Sequence, residues 1–205
     1  MNLVTFGDSW PWGAELQDDE KPYGYWIANE LNLEFRNYSN EGTTIEHMIL
    51  QLDEYIKNNK DDTIAIFFVT NPIRAMYHDG KNFVSHRPTV KSKKTNLYYE
   101  TLQSDILDNH RSNVFVLALQ KMCSKFKIKD YYLEGWSNIK WNLQGIDLEK
   151  FYNKTAMDIL GAQLNNRTIE LSKYQQNKYI KPNKYHPNEN GHKKIAEELS
   201  KWICL

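Results

Sequence analysis

Residues 3–10 read LVTFGDSW. The first four are apolar or β-branched, which predicts a buried β-strand. Gly7 follows directly, and glycine lets the backbone turn sharply because it has no Cβ and tolerates positive φ. Asp8 and Ser9 then come at the carboxyl end of the strand, where open α/β sheets place their functional groups. The stretch therefore predicts an α/β sheet with polar groups at its edge, although Gly-Asp-Ser after a strand is also typical of a plain turn.

Strand and helix patterns alternate along the rest of the chain. Strands are predicted at 33–38, 64–69 and 129–136, and helices at 22–31, 44–57, 97–126 with a break near 111–113, 148–160, and from 189 onward. Whether the segment 168–171 forms a helix or a strand stays open. Such alternation implies right-handed crossovers and a three-layer α/β/α domain with a mainly parallel sheet.

Residues 73–96 show neither the helical nor the strand spacing of apolar residues. We expect an irregular insertion there, placed directly after a strand so that it can form a substrate wall or lid. The length of 205 residues is that of one domain with a full hydrophobic core, so we expect a single domain over residues 1–205.

A second motif lies near the carboxyl end, where residues 186–192 read HPNENGH. Asn188 is a candidate N-cap for a terminal helix whose apolar residues recur at helical spacing. His192 then falls in the first turn of that helix. A capped helix preceded by an incidental histidine is the plain interpretation of this segment.

Together, the amino-terminal Gly-Asp-Ser and the carboxyl-terminal His-Pro-Asn-x-x-Gly-His resemble the SGNH, or GDSL, hydrolase family. Two intermediate segments fit as well: NYSNEGTT at 37–44 resembles the second block of the family, and TNP at 70–72 resembles the third. The resemblance implies a flavodoxin-like sheet, with Ser9 as nucleophile and His186 as its general base. It also implies an oxyanion hole formed by the backbone N–H groups of Ser9 and Gly42 and the side-chain amide of Asn71.

One position departs from the family pattern, which usually has an aspartate three residues before the histidine. Here that residue is Asn183. An amide oxygen accepts a hydrogen bond from imidazole Nδ1–H, but it carries no charge to stabilise imidazolium, and the Asp-to-Asn change costs about 10⁴ in turnover in a triad protease. Three possibilities stay open: support from Asn183 or a carbonyl, another carboxylate in the role, or low activity. If Asn183 orients His186, Asn183→Asp raises esterase turnover.

Candidate substrate contacts lie beside these motifs: Asp8, Trp10, Trp12 and Arg74. A tryptophan offers a flat apolar face and one polar N–H, which suits a sugar ring or an acyl chain. Packing over the sheet edge is an equal expectation for both tryptophans. The place of Asp8 beside the candidate nucleophile favours turn formation.

Charge and composition indicate a protein without nucleic-acid or membrane partners. The 26 basic and 26 acidic residues cancel. The basic run at 86–94, which includes Arg87, is expected to be a solvated loop or else to attract an anionic substrate or partner. No apolar run reaches the roughly 18 residues of a membrane span, and no signal-peptide pattern precedes the first strand, which predicts a cytoplasmic protein. High Asn, Lys, Ile and Tyr content fits an AT-rich genome, such as that of a phage or a low-GC bacterium.

No metal or cofactor is expected, because the histidines and cysteines lack metal-ligand spacing and no glycine-rich phosphate loop occurs. Cys123 and Cys204 are expected to be free thiols. The leading function is a serine esterase that hydrolyses a small acyl ester through an acyl-enzyme, with a carbohydrate O-acetyl ester as first choice. The alternatives are a lipid or thioester hydrolase and a non-catalytic binding module on an SGNH scaffold. The oligomeric state is not predicted.

Overall fold

Parallel strands form the centre of the fold. The structure is a computed structural model that describes residues 1–59, 61–88, 90, 92–136, 139–161, 178–181 and 186–204. Numbered in chain order, the strands of its main sheet are β1 (Asn2–Phe6), β2 (Glu34–Asn37), β3 (Thr63–Val69) and β6 (Lys129–Glu134). Their order is β2-β1-β3-β6, and each neighbouring pair is parallel. The predicted mainly parallel α/β sheet is therefore confirmed.

Helices pack on both faces of this sheet. The helical elements of the described residues are α1 (Ser9–Trp12), α2 (Tyr23–Glu30), α3 (Ile45–Asn58), α4 (Lys93–Thr101), α5 (Asp105–Lys125), a 3₁₀ turn (Leu148–Lys150), α6 (Ala156–Ile159) and α7 (Glu189–Ile203). One apolar cluster joins one face of the sheet to α2, α6 and α7, and a second joins the other face to α3 and α5. This arrangement is the expected three-layer α/β/α sandwich.

The sequence of β3 explains why both faces are covered. Successive side chains of a strand point to opposite faces, and in β3 the residues Ile64, Ile66 and Phe68 enter the first cluster. Ala65, Phe67 and Val69 enter the second. All seven residues of the strand are buried, as expected for a central parallel strand with apolar residues on both faces.

The insertion after β3 is more regular than predicted. Within 73–96, β4 (Ala75–His78) and β5 (Phe83–His86) form an antiparallel hairpin, and α4 begins at Lys93. The strands are short and half-exposed, so they leave no apolar run in the sequence. Contacts between rings stabilise them instead: the Tyr77 and His86 rings stack with centroids 4.2 Å apart. Gly80, with φ of 103°, provides the turn.

The predicted helix over 97–126 is interrupted at a different place. The break falls at residues 102–104, where Ser104 caps α5 by accepting from the Leu107 N–H, and α5 is continuous through 111–113. Arg111 and Asn113 do not end the helix because both bond to other parts of the fold. Arg111 pairs with Glu46, and the Asn113 amide donates to the Lys140 carbonyl.

The predicted helix at 148–160 is also divided. Directly after the 3₁₀ turn, Phe151 is extended and forms a parallel bridge with Tyr132 of β6. The Tyr152 N–H donates to the Tyr132 carbonyl. Pairing with the open edge of β6 thus replaces helical bonds. The ambiguous segment 168–171 lies outside the described residues.

Candidate active site

Gly7 and Asp8 build the turn that carries the candidate nucleophile, Ser9. Gly7 has φ of 143°, and a Cβ there would lie 2.8 Å from the Phe68 Cβ, so only glycine fits at this position. Asp8 is the N-cap of α1, and its Oδ1 accepts from the Trp10 N–H at 3.0 Å. Ser9 is consequently held at the first position of α1, at the carboxyl end of β1.

Asp8 also connects the turn to two other segments. It is fully buried, and its Oδ2 accepts from Thr70 Oγ1 at 2.6 Å and from Arg74 Nη1 at 2.8 Å. The same Arg74 nitrogen contacts the Thr43 carbonyl at 3.4 Å. The carboxylate of Asp8 therefore holds together the ends of β1 and β3 and the loop that precedes α3.

His186 reaches Ser9 from the other end of the chain. Its Nε2 lies 2.9 Å from Ser9 Oγ, a hydrogen-bonding distance. Ser9 is 6% exposed. The two residues that the sequence pattern paired are therefore in direct contact.

Backbone bonds around His186 fix its position. The Lys181 N–H donates to the His186 carbonyl at 3.2 Å, and the Asn188 N–H donates to the Tyr179 carbonyl at 2.9 Å. Asn188 caps α7 as predicted, by accepting from the Gly191 N–H. Gly191 is required because a Cβ there would lie 2.4 Å from the Tyr179 carbonyl oxygen. The start of α7 thus packs directly on residues 178–181 and aims His186 at the sheet edge.

The second imidazole nitrogen faces a carboxylate that the sequence did not single out. His186 Nδ1 lies 3.2 Å from Glu15 Oε2. Glu15 comes six positions after Ser9, and no motif marked it, because the family pattern places the acid beside the histidine. Nearness in sequence to the candidate nucleophile was the one available signal, and it did not separate Glu15 from Asp18, Asp19 or Glu20. Asn183, the residue predicted for this role, lies outside the described residues.

Gly42 lies at the same edge of the sheet as Ser9. Its φ is 74°, and its Cα lies against the guanidinium of Arg87. The Ser85 hydroxyl of the hairpin donates to the Gly42 carbonyl at 2.7 Å. The Asn40 N–H donates to the Gly7 carbonyl at 3.0 Å and so ties this loop to the turn that carries Ser9.

Asn71 follows β3, the strand beside β1. Its Oδ1 accepts from the Ile73 N–H at 3.1 Å. This bond orients the amide. Its Nδ2 is the group of Asn71 that can donate a hydrogen bond to a ligand. The candidate oxyanion residues Ser9, Gly42 and Asn71 therefore follow three neighbouring strands, β1, β2 and β3, where open α/β sheets bind ligands.

The predicted substrate contacts differ in exposure. Trp10 is 2% exposed and stacks on Phe68, so it belongs to the core. Asp8 and Arg74 form an ion pair, which gives both a structural part, and 18% of the Arg74 side chain stays exposed. Trp12, on α1 just after Ser9, is 47% exposed and is the most open of the four.

His192 lies near the site without joining it. It is fully buried, its ring stacks on Tyr23, and its Nδ1 accepts from the Tyr23 N–H at 3.2 Å. Burial, with a smaller effect from the charge of His186, lowers the pKa of His192 to about 3. His192 is therefore neutral at physiological pH and joins α7 to α2, consistent with its place in the first turn of α7.

In the described part of the chain, no helix is both long and apolar enough to cross a membrane. The His, Cys, Asp and Glu side chains of the same residues form no group of three or more that could hold a metal ion. Cys123 is buried and Cys204 exposed, and both are free.

Comparison with known proteins gives matches in structure. No family model matches the chain, and no curated protein matches its sequence. One similar structure is described as a lipolytic protein of the G-D-S-L family from Desulfitobacterium hafniense DCB-2, with TM-score 0.61, 13% identity and 98% of each chain covered. The psychrotrophic esterase EstA from Pseudoalteromonas sp. has TM-score 0.57 and 14% identity, covering 100% of this chain and 97% of that chain.

The acetyl xylan esterase AlAXEase is also similar, with TM-score 0.54, 14% identity and 100% of both chains covered. At these identities the likeness is one of fold. The chain therefore has the α/β fold of the SGNH, or GDSL, lipolytic proteins and esterases.

Proposed function

We propose that this chain is a serine esterase that hydrolyses a small acyl ester through an acyl-enzyme. The observation that carries the proposal is the 2.9 Å contact between Ser9 Oγ and His186 Nε2, which joins residues 177 positions apart. A serine hydroxyl is a weak nucleophile until a base accepts its proton, and histidine is the side chain whose ordinary pKa allows this near neutral pH.

Acylation begins when Ser9 Oγ attacks the ester carbonyl carbon. The new C–O bond forms while the hydroxyl proton moves to His186 Nε2, and an electron pair moves onto the former carbonyl oxygen. We assign the stabilisation of this negative oxygen to the N–H groups of Ser9 and Gly42 and the amide of Asn71. Each such donor is worth about 3 kcal/mol in comparable enzymes.

The intermediate then collapses. The carbonyl re-forms, the bond to the alcohol oxygen breaks, and His186 Nε2 gives its proton to the departing alcohol. Water attacks the acyl-enzyme in the same way: its proton moves to His186, the carboxylic acid departs, and Ser9 recovers its proton. Each turn of the cycle restores both side chains.

A carbohydrate O-acetyl ester is our first choice of substrate. Trp12 supports it, because an exposed indole one helical turn from the nucleophile gives a flat apolar surface on which a sugar ring can stack. AlAXEase, an acetyl xylan esterase, has a fold similar to that of this chain. Lipid hydrolysis is the second candidate, because a lipolytic protein of the G-D-S-L family shares the fold as well.

The test measures hydrolysis of p-nitrophenyl esters from acetate to laurate, and release of acetate from acetylated xylan. We expect highest kcat/KM on acetate, and loss of all hydrolysis in Ser9→Ala but not in Ser124→Ala, which alters an exposed serine of α5. A preference for laurate would favour the lipid hydrolase. Absence of hydrolysis by folded wild-type protein would contradict the esterase and leave the binding module.

A further inference from the structure

We propose, as a refinement that rests on the proposed function, that Glu15 is the positioning carboxylate of His186 and takes the place of Asn183. The acid would then come from the segment that follows the nucleophile, and not from the segment that carries the histidine. Its part is to hold the imidazole with the proton on Nδ1, so that Nε2 is free to accept the proton of Ser9, and to stabilise the imidazolium that results.

The geometry places one imidazole between two partners. Nε2 is 2.9 Å from Ser9 Oγ and Nδ1 is 3.2 Å from Glu15 Oε2. Nδ1 is shielded from solvent, and no hydrogen bond of regular angle reaches it from the described residues. A long and imperfectly aligned contact is common for catalytic groups without substrate, because such bonds tighten in the substrate complex.

The backbone between Ser9 and Glu15 doubles back to bring the two side chains to the same ring. Gly13 ends α1 in the left-handed region, and the Ala14 N–H donates to the Ser9 carbonyl at 2.9 Å. Glu15 itself has φ of 68°, which is uncommon for a residue with a Cβ. Strained backbone of this kind persists where the surroundings hold it, and it concentrates at functional sites.

Lys181 holds both segments in register. Its Nζ donates to the Glu15 carbonyl and, at 2.9 Å, to Glu20 Oε2, while its backbone N–H donates to the His186 carbonyl. Glu20 closes its own turn by accepting from the Gln17 N–H at 2.8 Å. One lysine therefore fixes the acid and the base relative to each other.

The other titratable groups near the imidazole do not replace the charge of Glu15. Lys181 is paired with Glu20, and His192 is neutral. Among the described residues, Glu15 provides the carboxylate within ion-pair distance of His186. A carboxylate this close can stabilise the imidazolium that forms when Nε2 accepts the proton of Ser9.

The first experiment observes the Nδ1–H proton of His186 by NMR, assigned with His186→Asn. We expect a signal far downfield in the wild type and a smaller downfield shift in Glu15→Gln, because that change keeps the shape but replaces a charge-assisted hydrogen bond with a neutral one. Asp19→Asn, which removes an exposed carboxylate from the same segment, leaves the signal in place. A signal that is absent from the wild type, or unchanged in folded Glu15→Gln, overturns the assignment. This readout needs no hydrolysis, so it stands even if the esterase proposal fails.

The second experiment measures steady-state ester hydrolysis. Glu15→Gln is expected to lower kcat at least about 100-fold with KM little changed, because it removes the charge that stabilises the imidazolium. The loss is smaller than the roughly 10⁴ of a buried triad aspartate, because the Glu15 side chain is 27% exposed. Glu15→Asp restores part of the rate, and Asn183→Asp changes it by less than about threefold. A rise in turnover with Asn183→Asp, together with an active Glu15→Gln, would return the role to Asn183.

Discussion

At the scale of single residues, Gly42 is proposed to donate its backbone N–H to the oxyanion, and its φ sets the direction of that N–H. A Cβ at this position would lie 2.6 Å from Arg87 Nη1, and φ is 74°. We predict that Gly42→Ala lowers kcat/KM at least about 10-fold, because the loop must shift to relieve strain of about 1 kcal/mol. The matched control is Gly80→Ala, where φ is 103° but open space surrounds the new methyl group. Equal activity in both variants would contradict a role for the Gly42 N–H.

Asn71 tests the same site through a side chain. Asn71→Asp keeps the size of the residue and the acceptor for the Ile73 N–H. It replaces the Nδ2 donor with an oxygen that repels a developing negative charge. We predict a fall in kcat of about 10²–10³-fold, with the free energy of unfolding changed by less than about 1 kcal/mol. Steady-state kinetics with urea unfolding checks both, and near-normal turnover would remove Asn71 from the oxyanion hole.

Single residues also show where prediction from sequence stopped. Ser9, His186, Gly42 and Asn71 were predicted because each lies in a short motif with local capping or turn chemistry. Glu15 was not predicted, because its place beside His186 depends on its own left-handed backbone and on a hydrogen bond from Lys181. Lys181 lies far from Glu15 in the sequence. Such a contact leaves no periodic or spaced signal in the chain.

At the scale of elements, Asp8 connects α1 to the end of β3. Its carboxylate is buried and accepts from Trp10 N–H, Thr70 and Arg74. We predict that Asp8→Asn lowers the free energy of unfolding by about 3 kcal/mol, because the Arg74 charge loses its partner. Urea unfolding measures this loss.

A double-mutant cycle separates the ion pair from the hydrogen bond that Thr70 donates to Asp8. Asp8→Asn with Arg74→Met is expected to be less destabilised than the sum of the two single changes, because the second change removes the charge that the first leaves unpaired. Strict additivity would show that the pair contributes little and that the lost acceptor of Thr70 carries the effect, since Asn caps α1 as well as Asp does.

Element boundaries were predictable where local chemistry sets them. Thr44 and Asn188 cap α3 and α7 as their sequences indicate, and β3 spans the continuous apolar run. The hairpin β4–β5 and the extended segment beside β6 were missed. Ring stacking and pairing with a distant strand form them, and neither produces a local pattern.

At the scale of the whole molecule, His192 links global stability to pH. Its folded pKa is about 3, whereas an unfolded histidine has a pKa near 6.5. The unfolded state therefore binds a proton that the folded state excludes, and stability falls as pH decreases from about 6.5 towards 3. The expected slope from this group approaches 1.4 kcal/mol per pH unit.

The control for this pH dependence is His192→Asn, which removes the titrating group. We predict that its free energy of unfolding, measured in urea at several pH values below 6.5, falls less steeply with acid than that of the wild type. The neutral-pH stability of the variant is lower, because the Tyr23 N–H loses its ring acceptor. Parallel curves for the two proteins would show that His192 is not held neutral by burial.

The fold brings Ser9, which follows β1, into contact with His186, which precedes α7. The most direct measurement of that claim is intact-protein and peptide mass spectrometry after reaction with a fluorophosphonate. The account predicts one phosphonyl group on Ser9 in the wild type, none in Ser9→Ala, and much slower labelling in His186→Asn. A folded wild-type protein that stays unlabelled, or that is labelled equally fast without His186, would contradict it.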